Sequence, residues 1–206
     1  MDFQTWFEAT IAHEGGFVFD PDDKGGATNF GITQSSYSEF KNRKVTVDEI
    51  QNMGLEQAKE FYQNLFATLG LNAIPASCQR GYSDAVVNLG KGGASKVIQM
   101  ATNTKLRPTN SDDWIDVDGI IGSGSRQAIQ EAKLNFWDFY AELGIWYANL
   151  ILKGCGFGNP RTEQNKFARG WYKRLLENFF QDRLDEMSSQ ELEQILVRKK
   201  NAESEA

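Results

Sequence analysis

Glu14-Gly15-Gly16-Phe17-Val18-Phe19-Asp20-Pro21-Asp22-Asp23-Lys24-Gly25-Gly26-Ala27-Thr28-Asn29-Phe30-Gly31-Ile32-Thr33 follows directly on an amphipathic stretch, and its reading decides the fold. Upstream, Phe3, Phe7 and Ile11 recur at four-residue steps and predict a helix over about residues 2–13 with one inward stripe. Gly15-Gly16 stops that helix, and the turn-rich segment to Thr33 is where any short β-hairpin belongs. Glu14 follows Phe3 by eleven residues and Phe7 by seven. At about 100° per residue both spacings return to within roughly 20° of one direction, so Glu14 points the way the apolar stripe points. Partial burial there disfavours the charged form of a carboxyl, leaving a proton to donate. Three carboxylates (Asp20, Asp22, Asp23) and two hydroxyls (Thr28, Thr33) lie on the glycine-rich segment that must fold back toward the helix end. A protonated carboxylic acid facing a second carboxylate is the pair that glycosidic bond cleavage uses, with a hydroxyl to orient water.

Helical periodicity dominates the rest of the chain, so the expected fold class is mainly α. Thr46-Val47-Asp48-Glu49 is a capping box that starts a helix, broken at Gly54. Phe61, Tyr62, Leu65, Phe66 and Leu69 mark the inner face of a long helix. Pro75 opens a segment with Cys78, Tyr82, Ala85, Val86 and Leu89 at helical spacing, which Gly90-Lys91-Gly92-Gly93 should end; residues 94–102 read as a further helix. A polar loop over 106–125 should precede an aromatic helix near 126–152 and an amphipathic one near 162–184. Ser188-Ser189-Gln190-Glu191 is a second capping box, opening a charged terminal helix.

Composition narrows the function. A net charge of -6 over 206 residues disfavours non-specific nucleic-acid binding, which wants a basic surface. His13 is the only histidine, which removes His-Glu-x-x-His zinc sites and Ser-His triads. Gly25-Gly26-Ala27-Thr28 lacks phosphate-loop spacing. No metal or organic cofactor is expected. Cys78 and Cys155 are either two buried thiols or one disulfide. No basic stretch followed by an apolar run opens the chain, so no secretory signal is read.

Several blocks, in order, resemble glycoside hydrolase family 108, bacterial and phage N-acetylmuramidases of lysozyme-like helical fold. They are Glu14-Gly15-Gly16, Asp20-Pro21, Gly25-Gly26-Ala27-Thr28-Asn29, Gly31-Ile32-Thr33 and Asp84-Ala85-Val86-Val87-Asn88-Leu89-Gly90, with Gln99 at the position that follows. Asp118-Gly119-Ile120-Ile121-Gly122 and Phe167-Ala168-Arg169-Gly170-Trp171-Tyr172-Lys173-Arg174 resemble the peptidoglycan-binding region of many members. The resemblance covers roughly residues 3–180 and implies Glu14 as the catalytic acid. The family often places Asp-Pro before the double glycine; here Asp23-Lys24 stands there. Phage-type lysozymes space Glu, eight residues, Asp, five residues, Thr, and Glu14, Asp23 and Thr28 match that pattern one residue short, which favours Asp23 as second carboxylate and Thr28 as the water-orienting hydroxyl.

The expected organisation is a catalytic lobe over 1–105, a peptidoglycan-binding helical lobe over 106–187 and a charged tail over 188–206. Asp84 and Asn88, four apart on one helical face, would meet sugar hydroxyl and acetamido groups. Asn29 and Tyr82 complete the expected sugar site, and Arg174 would meet a stem-peptide carboxylate. The implied partner is peptidoglycan, met by a monomer synthesised in the cytoplasm that reaches the wall through a holin-like or membrane export partner. A non-catalytic wall-binding protein that assists secretion is the rival reading.

Overall fold

The computed structural model describes residues 1–13, 16–19, 26–107, 114–155, 165–188 and 191. The helices are α1 (Phe3–His13), α2 (Gln34–Phe40), α3 (Val47–Gln51), α4 (Leu55–Thr68), α5 (Gln79–Leu106), α6 (Ser123–Ala132), α7 (Phe136–Cys155) and α8 (Asn165–Glu186). Between α1 and α2 the strands β1 (Thr28–Asn29) and β2 (Ile32–Thr33) pair antiparallel. The mainly α architecture with a hairpin after the first helix is the one the sequence predicts.

Local chemistry explains the boundaries. At the start of α3, Thr46 Oγ1 accepts from Glu49 N and Thr46 N donates to Glu49 Oε2, so the capping box is formed. Gly54 caps α4. The expected break at Gly90 is a kink: Gly90 takes φ 70°, ψ 166°, a conformation open essentially to glycine, and the helix resumes at once. Residues 79–106 are therefore two helical stretches meeting at this kink, as the sequence predicts, with the second starting directly after Gly90 rather than at residue 94.

The single aromatic helix expected over 126–152 is corrected to two. Lys133 closes α6 in the left-handed region with φ 47°. Asn135 then restarts the chain, because Asn135 N donates to Asp138 Oδ2 while Asp138 N donates to Asn135 Oδ1. At the far end, Ser188 and Glu191 make the reciprocal bonds of the predicted cap; the remainder of the tail lies outside the described residues.

Two buried clusters fill the interior. One gathers Trp6, Phe7, Ile32, Tyr37, Ile50 and Tyr62 around α1, the hairpin, α2, α3 and α4. The other joins Tyr82, Ala85 and Ile98 of α5 to Ile129 of α6, Phe136, Phe139 and Tyr147 of α7 and Leu175 of α8. Leu65 and Phe66 of α4 pack on both clusters. Full burial of one such large apolar side chain contributes about 1.5–3 kcal/mol. Residues from both sides of position 105 share the second cluster, with α5 at its centre. Cys78 is a free, buried thiol whose Sγ donates to Asn135 O; burial pushes its pKa up to about 12.

Candidate active site

The hairpin orients the candidate residues. Phe30 and Gly31 form its two-residue turn with φ 51° and 72°, both positive as the tight primed turns require. Tyr62 Oη donates to Phe30 O at 2.8 Å and ties the turn to α4. The register pairs Thr28 with Thr33 and Asn29 with Ile32. Strand alternation then puts the two threonines on one face and Asn29 with Ile32 on the other.

The Asn29–Ile32 face is core. Asn29 is 6% exposed, and its amide nitrogen donates to Ile50 O at 3.0 Å and Gln51 O at 3.4 Å, holding the hairpin to α3. The threonine face is the open one. Thr33 caps α2 by accepting from Ser36 N, and it lines a cleft of about 500 Å³ walled by the hairpin, α2, α4 and the first half of α5. That volume falls within the roughly 300–1,000 Å³ of small-molecule clefts. Cross-strand partners hold their Cβ atoms about 4.5–5.5 Å apart, so Thr28 stands beside Thr33 at the rim. The outer edge of Thr28 is bridged to Val18, each backbone N–H donating to the other's carbonyl at 2.8 Å. This bridge fastens the chain just past α1 to the strand that enters the hairpin. Glu14 and Asp23 lie outside the described residues.

Asn88 lines the cleft from α5. Its amide nitrogen donates to Asp84 Oδ2 at 3.2 Å and to Tyr147 Oη at 3.3 Å. Both amide hydrogens are thereby committed, and the carbonyl Oδ1 is the group it offers to a ligand. Asp84 opens instead onto a second groove, of about 470 Å³, that borders Thr10 of α1 and Glu177 of α8. Its Oδ1 accepts from Arg174 Nε at 3.1 Å and Nη2 at 2.8 Å, a pair with side chains only 12% and 11% exposed. Asp84, Asn88 and Arg174 are thus brought together, as a network joining α5, α7 and α8. Tyr82 is fully buried, with its hydroxyl at 3.1 Å from Ser95 Oγ, so its ring offers no face to a sugar.

Among the polar cleft residues Ser36, Glu39, Asn64, Thr68 and Lys91 escaped the sequence reading as site groups, and Thr33 entered it only as a hydroxyl of the glycine-rich segment. Thr33 was findable, since a two-residue Phe-Gly turn makes it the partner of Thr28. Lys91 was read only as part of a glycine-rich helix stop. Among the described residues no three His, Cys, Asp or Glu side chains gather as a metal site.

The class these elements define is a lysozyme-like helical protein with a polar cleft beneath its hairpin. Residues 7–90 match the family model Glycosyl hydrolase 108, the stretch holding the glycine-acid block, the hairpin and nearly every wall of the cleft. Among solved structures the chain is similar to one described as the structure of Brucella abortus SagA, at 23% identity and a TM-score of 0.69, over 91% of this chain and 97% of that one. At that identity the likeness speaks for the fold. No curated protein matches the chain. No described helix is long and apolar enough to cross a membrane.

Proposed function

We propose that this chain is a peptidoglycan hydrolase of the muramidase type, cleaving the β-1,4 bond between N-acetylmuramic acid and N-acetylglucosamine. The reading is carried by one observation: the family-matched residues 7–90 contain both the acid-bearing segment and the hairpin that rims the cleft. Glu14 donates its proton to the glycosidic oxygen as the C1–O bond breaks, releasing the N-acetylglucosamine hydroxyl. Asp23 takes a proton from the water that adds to C1, or balances the positive charge that develops there, and Thr28 orients that water from the rim. Asn88 offers Oδ1 to an amide or hydroxyl hydrogen of the glycan. Asn29, Tyr82 and the Asp84–Arg174 pair support the site from within the fold.

The two regions on either side of residue 105 act as lobes of one unit, and the charged segment after Ser188 serves neither chemistry nor the cleft. The protein acts as a monomer at the wall, in lysis or in wall remodelling for export, reached through a holin-like or other membrane partner. The test is Glu14→Gln, which keeps shape but removes the transferable proton. General acid catalysis contributes about 10²- to 10⁴-fold, so hydrolysis of purified peptidoglycan should fall at least a hundredfold while sedimentation with the wall persists. Products of the parent should carry reducing muramic acid ends by mass spectrometry. Activity of Glu14→Gln within about tenfold of the parent removes Glu14 from the acid role.

A further inference from the structure

The cleft does not end at Lys91. On the other side of that residue a second hollow of about 390 Å³ continues between the end of α4, the kink of α5 and the loop before α6, with Gly70, Lys91, Gly92, Ile120 and Arg126 among its walls. Lys91 and the adjacent Thr68–Leu69 link the two hollows. Lys91 Nζ donates to Thr68 O at 2.6 Å, which fixes its ammonium at the carbonyl end of α4, on the border between them. Arg126, in the first turn of α6, donates among the described residues only from its side-chain Nε, toward Ile121 O at 3.4 Å.

In a chain of net charge -6, Lys41, Arg43, Arg80, Lys105, Lys173, Arg174 and Arg183 each have a carboxylate partner. Lys91 and Arg126 form no ion pair among the described residues. Among the described residues Lys44, Lys59, Lys96, Arg107, Lys133 and Arg169 also lack an ion pair, but Lys91 and Arg126 line one hollow together. The loop beside them is held rigidly. Gln99, fully buried on α5, donates to Asp118 Oδ1 and Ile120 O and accepts from Gly119 N, so the hollow has a preformed wall. A preformed hollow beside a glycan cleft, with two uncompensated cations and no acid of its own, suits an anionic substituent of the strand.

We propose that this hollow is a subsite for the carboxylates of the stem peptide that a muramic acid residue carries, with Lys91 and Arg126 as its recognition groups. The proposal rests on the muramidase reading, since the peptide arrives attached to the glycan in the neighbouring cleft. It also moves peptide recognition away from Arg174, whose guanidinium already holds Asp84. The strand branches at the muramic acid: the sugars stay in the cleft while the peptide turns past Lys91 toward Arg126.

The test compares Arg126→Glu and Lys91→Gln with the parent on intact peptidoglycan and on the same glycan stripped of peptides by an amidase. The ratio of kcat/KM on the peptide-bearing strand to that on the stripped strand should fall about three- to tenfold in Arg126→Glu, and salt should reduce the ratio of the parent. A ratio that does not move overturns the proposal. A second measurement needs no catalysis: titration of a soluble stem tripeptide, as free acid and as carboxamide, followed by chemical shifts. The free acid should bind more tightly than the amide, and Arg126→Glu should erase the difference. Equal binding of both forms by the parent also refutes the subsite. If neither glycan is cleaved, the muramidase reading fails, and the titration still decides the subsite by itself.

Discussion

Arg174→Met isolates what the buried polar network contributes. The substitution keeps the aliphatic stem of Arg174 and removes the guanidinium that gives Asp84 Oδ1 both of its donors. Asp84, 12% exposed at its side chain, is then left, among the described residues, with the Asn88 amide on Oδ2 as its one hydrogen-bond donor. Removing one partner of a buried pair strands the other charge, at a cost of about 3–5 kcal/mol. At about 2–4 °C per kcal/mol for a chain of this size, the melting temperature should drop by roughly 6–20 °C. Asp84→Leu combined with Arg174→Met removes both charges, and most of the loss should return, because replacing a buried pair by apolar groups is often near neutral. Urea unfolding followed by tryptophan fluorescence suits the measurement, since Trp171 stacks on Tyr147, the residue that also holds Asn88. A loss below about 1 kcal/mol for Arg174→Met is the range of a solvated surface pair and would refute the reasoning. So would a double variant no more stable than the single one.

Three further outcomes are expected. Gly90→Ala should cost about 1–3 kcal/mol in thermal unfolding although no atom lies within 4 Å of the new Cβ, because the cost is backbone strain at φ 70°; a neutral result removes the kink from the argument. With Cys155→Ser, the Cys78 thiol should resist Ellman's reagent at pH 8 until the protein unfolds. Its folded pKa of about 12 lies above the ordinary 9.0, so the stability from burying the neutral thiol is complete below pH 9 and is lost as pH rises toward 12; fast labelling at pH 8 would contradict this. A fragment of residues 1–105 should fail to give a cooperative melt, since it strips Tyr82, Ala85 and Ile98 of Phe139, Tyr147 and Leu175; a sharply melting soluble fragment would establish two independent domains.

Much of the fold was legible because its signals are local. The apolar stripe of α1, the Gly-Gly stop and the Thr46 capping box each need only a few neighbouring residues to act. The split between α6 and α7 was missed because apolar residues keep helical spacing across it, and periodicity outweighed the cap that Asn135 and Asp138 form. Asn29 shows the same limit in the site. Its residue type suggests a sugar contact, but a two-residue turn pairs it with Ile32, and an apolar partner puts that face in the core. Reading the register before the residue types would have separated Thr28 from Asn29.

Charge gave the least reliable guidance, for a physical reason. The role of a cation depends on whether the fold supplies its counter-charge, and that partner can lie far away in sequence. Arg174 and Asp84 are ninety residues apart, and nothing local to either announces the bond. Once it forms, the guanidinium is a structural element fixing α8 against α5, and a substrate carboxylate would have to displace Asp84 to use it. Lys91 presents the opposite case. Its Gly90-Lys91-Gly92-Gly93 context reads as a helix stop, and the chain does break helical geometry at Gly90, but a second helical stretch starts at once and leaves the lysine at the border of two hollows with its ammonium on a neutral carbonyl. A carbonyl orients an ammonium without cancelling its charge. The cation is therefore both positioned and available, which is what recognition of an anionic group in the cleft requires.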